Sequence, residues 1–231
     1  MIYITGDTHG NLDRINDFRL KQNLQSDDVM IILGDVGLNF FMNGAETSLK
    51  EMIDKNWRFT LFNIHGNHEK RPETISTYKE KMFCGGVVYY EEAYPRILFA
   101  KDGEVYDFNG LKTFVCGGAY SLDKRSRVEG FSWWSDEQPS EEIKARVNKK
   151  LDSLHWKVDV ILSHTGPRKY EPIESFVSWI DQSKIDKATE NFLQEIEDKL
   201  DYKKWYFGHF HVNKHDGKMT ILYEDIEEFK I

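Results

Sequence analysis

The N-terminal stretch "MIYITGDTHG" (residues 1–10) sets a pattern that the rest of the chain repeats. Its apolar run Ile2–Thr5 predicts a short buried strand, and the Gly-Asp pair that follows indicates a turn where that strand ends. Apolar residues then recur at Leu12, Ile15 and Phe18, the spacing of one face of a helix. The stretch therefore predicts a strand, a polar loop and a helix, in that order.

The same unit returns in the first third of the chain. The apolar run Val29–Leu33 ends in a second Gly-Asp pair, and the run Phe59–Ile64 leads into "HGNHE". A helical pattern lies between them, around Glu46 to Lys55. Because strands that alternate with helices form parallel sheets with right-handed crossovers, we predict a βαβαβ unit here.

The character of the sequence changes between Gly86 and Ala119. Short β-rich runs are separated there by "KDGE" and "FNGL", which predicts an antiparallel meander. Helices are then predicted at Ser140–Leu154, capped by "PSEE", and at Lys187–Leu200, each leading into a further strand. The strands predicted in this part are Val87–Tyr90, Ile97–Ala100, Val105–Phe108, Lys112–Cys116, Val158–Leu162, Lys203–Phe207 and, closing the chain, Met219–Tyr223.

Length and composition favour one globular domain over residues 1–231. A chain of this length with 40% hydrophobic residues can bury a core without disulfides, and it has no repeat or flexible linker. A net charge of −8 disfavours a broad nucleic-acid-binding surface, because such binding depends on many phosphate contacts. Cys84 and Cys116 each lie beside a Gly-Gly pair, which is typical of buried packing. With no signal peptide or membrane span in the pattern, we expect a cytoplasmic protein; the oligomeric state is left open.

Five polar clusters each follow a predicted strand directly. They are "GDTHG" (6–10), "GDVG" (34–37), "GNHE" (66–69), "SHTGP" (163–167) and "GHFH" (208–211). Any one of them alone is an ordinary turn. Because ligands bind at the carboxyl ends of strands in open α/β sheets, five such loops in order predict a common site.

The chemistry of these loops indicates metal binding. They offer oxygen and nitrogen donors without a thiolate, which suits divalent Mn, Fe, Co, Ni or Zn better than Ca or Mg. The donors also outnumber the positions of a single ion that must admit water and substrate, so we expect two metals. The side chains are Asp7, His9, Asp35, Asn67, His68, His164, His209 and His211.

The set resembles the calcineurin-like metallophosphoesterase superfamily, whose pattern is GDxH, GD, GNH[DE], H and GHxH in this chain order. The resemblance extends over most of the chain. It implies an α/β fold, a four-layer α/β/β/α sandwich of two mixed β-sheets flanked by helices. It also implies a dinuclear metal centre, for which we favour Mn, that hydrolyses phosphate esters with an activated hydroxide.

The resemblance assigns seven of these side chains to metals and leaves one free. Asp7, His9 and His211 would hold the first metal, Asn67, His164 and His209 the second, and Asp35 would bridge both. The free residue, His68, would protonate the leaving oxygen or stabilise charge on the phosphate.

One departure concerns the arginine that the Ser/Thr protein phosphatase branch carries in its motif GDxVDRG. The stretch "GDVGLNF" (34–40) lacks it. Positive charge could come instead from "GGAYSLDKRSR" (117–127), through Lys124 and Arg127, although an ordinary solvated loop explains that segment equally well. The nearby pair Trp133 and Trp134 either stacks on substrate or, more in keeping with its surroundings, packs over the sheet edge.

These observations predict a metal-dependent phosphoesterase that acts on a phosphomonoester or phosphodiester, small or nucleotide-like. The alternatives are a Ser/Thr-type protein phosphatase, a nuclease, and a non-catalytic metal-binding scaffold of the same fold. The acidic charge counts against a nuclease, and the missing arginine counts against a protein phosphatase. The full donor set counts against a scaffold.

Overall fold

Thirteen β-strands form two mixed sheets in the computed structural model, which describes residues 1–231. The strands are β1 (Ile2–Thr5), β2 (Val29–Ile32), β3 (Thr60–Asn63), β4 (Tyr78–Phe83), β5 (Gly86–Glu91), β6 (Ile97–Ala100), β7 (Val105–Phe108), β8 (Leu111–Cys116), β9 (Val160–Ser163), β10 (Lys204–Phe207), β11 (Lys214–Asp216), β12 (Met219–Ile221) and β13 (Ile226–Glu228). The helices are α1 (Asp13–Gln22), α2 (Gly44–Asn56), α3 (Glu141–Ser153) and α4 (Ala188–Glu197). None of these helices combines the length and the apolar composition needed to cross a bilayer.

The first sheet has the strand order β13-β1-β2-β3-β6-β5-β4, and the second has the order β11-β12-β10-β9-β8-β7. Strands β1, β2 and β3 are parallel neighbours, which confirms the predicted βαβαβ unit. In the second sheet β8, β9, β10 and β12 run parallel. The carboxyl ends of the parallel strands in each sheet therefore lie together at one edge of that sheet.

Alternate residues of the central strands divide between two cores. In β2, Val29 and Ile31 pack between the sheets, whereas Met30 and Ile32 pack against α1 and α2. In β9, Ile161 joins the core formed with α3 and α4, while its neighbours in the strand face the first sheet. Because side chains alternate across a strand, this division stacks helix, sheet, sheet and helix. The four-layer sandwich is confirmed.

The predicted meander is wrong as a continuous unit. Strands β5 and β6 do pair antiparallel, and so do β7 and β8, but the two pairs belong to different sheets. The chain crosses between the sheets at "KDGE", where Asp102 is buried, pairs with Arg71 at 2.5 Å and accepts a hydrogen bond from the amide of Gly117. A buried, paired carboxylate anchors this crossing, whereas the sequence pattern resembles an exposed hairpin turn.

Three strands are not predicted by the sequence patterns. Strands β4, β11 and β13 lie at sheet edges and consist largely of charged or exposed residues, "YKEKMF", "KHD" and "IEE". Charged side chains are common on edge strands, where backbone pairing alone defines the strand. The chain thus does not close with Met219–Tyr223: β12 ends at Ile221, and β13 then pairs antiparallel with β1.

Candidate metal centre

The five polar loops meet where the two sheets come together. Loops after β1, β2 and β3 bring the first-sheet residues, and loops after β9 and β10 bring the others from the second sheet. Three overlapping groups of side chains have donor atoms within 4.8 Å of one another. These groups are Asp7, His9 and His211; His9, Asp35 and His68; and Asp7, Asp35 and His164.

One group of donors surrounds the buried carboxylate of Asp7. Its Oδ2 lies 3.3 Å from Nε2 of His211 and 3.9 Å from Nε2 of His9. The two imidazole Nε2 atoms are themselves 3.0 Å apart. Asp7 Oδ2 has no hydrogen-bond partner, although buried polar atoms are normally paired. Converging nitrogens around an unpartnered carboxylate oxygen fit a bound cation.

A second group surrounds the side-chain oxygen of Asn67. Asn67 Oδ1 lies 2.8 Å from Nε2 of His164 and 3.0 Å from Nδ1 of His209. Asp35 lies between the groups, because its Oδ2 is 3.6 Å from His164 Nε2 and 4.0 Å from His9 Nδ1. All seven predicted metal ligands are thus brought into one cluster.

Hydrogen bonds outside the cluster orient its donors. His164 Nδ1 is 2.7 Å from the carbonyl oxygen of Leu33, and an N–H donated there directs Nε2 toward Asn67. The Asn67 amide donates to Oγ of Ser121 at 2.9 Å, so its oxygen faces the histidines. Sequence reasoning missed Ser121, because a buried serine in a polar loop carries no motif.

The carboxylates of Asp7 and Asp35 are each held by a backbone amide of a neighbouring ligand loop. His209 donates its backbone N–H to Asp7 Oδ1 at 3.0 Å, and His68 donates its own to Asp35 Oδ1 at 2.9 Å. In both residues the second oxygen, Oδ2, is the one that approaches the imidazole nitrogens. One oxygen therefore fixes each side chain and the other is available to a cation.

Glu69, to which the sequence assigned no role, links two of these loops. It accepts hydrogen bonds from the backbone amides of Val36 at 2.6 Å and Gly66 at 3.0 Å. Burial raises the pKa of Glu69 to about 8, and the nearby charge of Asp35 adds to that rise. The side chain joins the loops after β2 and β3 independently of any metal.

Four of the predicted ligands have left-handed backbones. The φ angles are 46° at His9, 50° at Asp35, 67° at His209 and 52° at His211. Residues other than glycine rarely adopt such angles, which cost energy and concentrate at functional sites. The backbone therefore gives up some stability to aim these side chains at one point.

Two glycines next to the ligands allow the loops to approach closely. A Cβ at Gly66 would lie 2.0 Å from Asp35 Oδ1, and a Cβ at Gly208 would lie 2.3 Å from Asp7 Oδ1. Neither distance is sterically possible. The predicted crowding of the loops at these positions is therefore a property of the structure.

The electrostatics of the cluster favour positive charge. Burial lowers the pKa of His164, but the carboxylates of Asp35 and Asp7 outweigh that effect and raise it to about 10. Burial and the His164 charge lower the pKa of His209 to about 3, which keeps its ring neutral. The pKa of Asp35 lies well below its usual range, because nearby histidines outweigh its burial. The donor set and this preference fit divalent cations.

His68 lies at the rim of the cluster and is partly exposed. Its Nε2 is 3.8 Å from Asp35 Oδ2 and 3.5 Å from Nη2 of Arg127. Its ring also contacts the ring of Phe40, with centroids 5.7 Å apart. Burial lowers the pKa of His68, and the positive charge of Arg127 contributes to this shift.

The two predicted substrate-binding cations differ in position. Arg127 reaches His68 while its Nη2 pairs with Asp123 at 2.6 Å. Lys124 instead lies over the ring of Tyr120, with Nζ 4.0 Å from the centroid, and also approaches the ring of Trp133. Of the two, only Arg127 is next to the predicted catalytic histidine.

The two tryptophans pack within the protein. Trp133 Nε1 donates to Glu137 Oε2 at 2.6 Å, and Trp134 Nε1 donates to the carbonyl oxygen of Phe40 at 3.1 Å. Neither indole lines the cleft beside the metal-ligand cluster. Their positions match the packing alternative.

A cleft of about 500 Å³ opens from the cluster. Asp35, Asn67 and His209 lie at its inner end, and its walls come from residues 120–123 and from the stretch 175–190. Sequence reasoning missed the second wall, because the stretch between "SHTGP" and α4 has neither a motif nor a regular period.

The fold and the convergent donors define a metal-dependent phosphoesterase. The model of the calcineurin-like phosphoesterase family matches residues 1–213, so the chain belongs to that family and is a hydrolase of phosphate esters. A comparison with curated proteins gives no match.

Two solved structures are similar over nearly the whole chain. The protein TT1561 of Thermus thermophilus is 12% identical, with a TM-score of 0.49, covering 96% of this chain and 87% of its own. The phosphopantetheinyl hydrolase PptH of Mycobacterium tuberculosis is 16% identical, with a TM-score of 0.43, covering 96% and 89%. Similarities of this size carry no information about the substrate of this protein.

Proposed function

We propose that the protein hydrolyses a small phosphomonoester or phosphodiester at a pair of divalent cations bound between its two sheets. The observation that carries this proposal is the clustering of seven donor side chains around two centres, one of which is the buried oxygen Asp7 Oδ2, an atom with no hydrogen-bond partner within the protein. Within a phosphoesterase family, such a cluster is the natural place for the reaction.

The distances between donor atoms suggest how the proposed ligands divide between the two cations. When bound, the two cations would supply an activated water and stabilise negative charge on the phosphoryl oxygens. A set of oxygen and nitrogen donors supports manganese, and iron, nickel, cobalt and zinc are the other candidates. Asp7, His9 and His211 would hold the first cation, Asn67, His164 and His209 the second, and Asp35 would contact both.

His68 is the proposed proton donor. It lies beside the cluster but makes no contact with Asn67 Oδ1 or Asp7 Oδ2, so it can face the substrate. Burial lowers its pKa in the free protein, whereas a phosphate dianion next to the ring would raise that pKa again by pairing with the protonated imidazole. The ring can then protonate the leaving oxygen or stabilise the charge that develops there.

The test is metal removal and replacement. Protein stripped with a chelator and dialysed should be inactive, and added Mn²⁺ should restore hydrolysis together with two bound metals per chain by elemental analysis. The substrates are p-nitrophenyl phosphate, its bis-ester, a nucleotide set and a phosphopeptide. A protein that holds two metals yet hydrolyses none of them is a metal-binding scaffold. Preference for the phosphopeptide would identify a protein phosphatase.

A further inference from the structure

The cleft beside the metal-ligand cluster has an aromatic wall that begins at a proposed ligand. The ring of Phe210 lies 5.2 Å from the ring of His209, and the ring of Phe176 stacks on Phe210 at 6.0 Å with an interplanar angle of 26°. Both phenylalanines line the cleft. A group attached to a phosphate at the cluster would therefore pass directly onto apolar ring surface.

Further apolar side chains line the cleft without being buried in the core. Leu122 and Val177 lie on its walls and are 49% and 40% exposed. Tyr120, which is itself buried, also lines the cleft. Exposed apolar surface that is continuous with a catalytic site is a feature of ligand pockets, because the ligand removes it from water.

The charged side chains along the cleft are either negative or paired with a side chain of opposite charge. Lys187 is its single lysine or arginine, and this side chain pairs with Glu171 at 2.8 Å. Two carboxylates, Asp123 and Glu190, also line the walls. Asp123 pairs with Arg127, whereas Glu190 is buried and accepts a hydrogen bond from Thr165. A second anionic group on the substrate would find no free cation here and would face these carboxylates.

We infer that the cleft binds the organic part of the substrate, and that this part is an apolar, aromatic group with no negative charge beyond the reacting phosphate. This inference rests on the proposed phosphoesterase function and narrows it. Nucleoside polyphosphates, inorganic polyphosphate and acidic phosphopeptides are disfavoured. Phe176 and Phe210 are the specificity-determining residues.

The test compares Phe176→Ala with Trp179→Ala, a matched aromatic control on the same stretch that is 81% exposed and does not line the cleft. The substrates are phenyl phosphate, 2-naphthyl phosphate and a carboxylated 2-naphthyl phosphate. Phe176→Ala should raise KM for 2-naphthyl phosphate about 10-fold, since its outer ring loses an aromatic contact, and should change KM for phenyl phosphate much less. Trp179→Ala should change neither value.

A second variant tests whether the cleft disfavours a second negative charge on the substrate. Val177→Lys adds an unpaired cation to the wall and should lower the ratio of KM for the carboxylated substrate to KM for 2-naphthyl phosphate. Binding of naphthylmethylphosphonate, measured by calorimetry, checks the aromatic wall without turnover and should weaken in Phe176→Ala.

Two sets of results overturn the inference. Equal effects of Phe176→Ala on the phenyl and naphthyl compounds, or no effect on naphthylmethylphosphonate binding, would remove the aromatic wall as a binding surface. A wild-type preference for the carboxylated substrate would contradict the charge argument. Failure of the proposed phosphoesterase function would give a different result. Metal-loaded protein would then bind the phosphonate but hydrolyse none of the esters.

Discussion

The side-chain amide of Asn67 donates a hydrogen bond to Oγ of Ser121 at 2.9 Å, and this contact turns the amide oxygen toward His164 and His209. Ser121 is buried, and its loop is distant in sequence from the loop that carries Asn67. Ser121, which is not itself a proposed ligand, thus orients the side chain of Asn67, which is.

Ser121→Ala should weaken binding of the second metal without removing the first. The NH2 group of Asn67 loses its hydrogen-bond acceptor, and loss of such supporting contacts typically costs about 10–100-fold in metal affinity. Titration of stripped protein with Mn²⁺ would measure two affinities. Ser126→Ala, an exposed serine of the same loop, is the control and should match wild type. Equal weakening of both sites would instead indicate a general loosening of the loop.

Asp35→Asn should abolish activity and release at least one metal. A neutral amide cannot replace the negative charge that balances two cations at a shared position. Elemental analysis gives the metal content directly. Asn67→Ala should by contrast deplete mainly the second metal, so the pair of variants separates a bridging role from a single-site role. Wild-type metal content in Asp35→Asn contradicts the bridging assignment.

His68→Ala should retain two metals and lose activity by roughly 10²–10⁴-fold, the range typical of a positioned acid. The loss should depend on the leaving group, since an alkyl phosphate needs a proton on its departing oxygen far more than a nitrophenyl ester does. Rates on the two esters measure this. Equal losses would show charge stabilisation in place of proton donation, and loss of a metal would make His68 a ligand.

Arg127→Ala should raise KM with unchanged metal content, because its guanidinium lies beside His68, where the substrate phosphate would sit. Lys124→Ala tests the other predicted contact and should have a smaller effect, since its ammonium lies over the ring of Tyr120. Arg125→Ala, an exposed cation of the same loop, is the control. Steady-state kinetics with one substrate would rank all three, and wild-type KM values in both Arg127→Ala and Lys124→Ala would leave these two cations without a role in binding the phosphate.

The parallel core and the strand-end loops could be predicted because each carries a strong local signal. A fully apolar run such as Val29–Leu33 is a buried strand in almost any context, and the Gly-Asp pair after it marks where the strand ends. The metal-ligand cluster followed from the same logic, since parallel strands present their carboxyl ends at one edge.

Predictions from the sequence fail where contacts between residues distant in the chain determine the structure. The turn "KDGE" has the composition of a hairpin, yet Asp102 is buried against Arg71, a partner that no local pattern reveals. Edge strands such as β13 are defined by backbone pairing with β1 and not by their side chains. Ser121 and the cleft wall around Phe176 are further examples, because their roles depend on residues far away in sequence.

The division of the chain between metal-ligand loops and cleft walls bears on how such a protein can change over time. All the proposed ligands follow strands of the two sheets, whereas Leu122, Phe176 and Val177 come from connecting stretches that supply none. The stretch 171–187 could therefore be lengthened, shortened or exchanged without disturbing the ligand loops. Apart from Phe210, which lies between two proposed ligands, recognition and reaction are therefore inherited on separate pieces of chain. Related proteins could acquire new substrates by remodelling this connection, and grafting it between them would alter preference without rebuilding the chemistry.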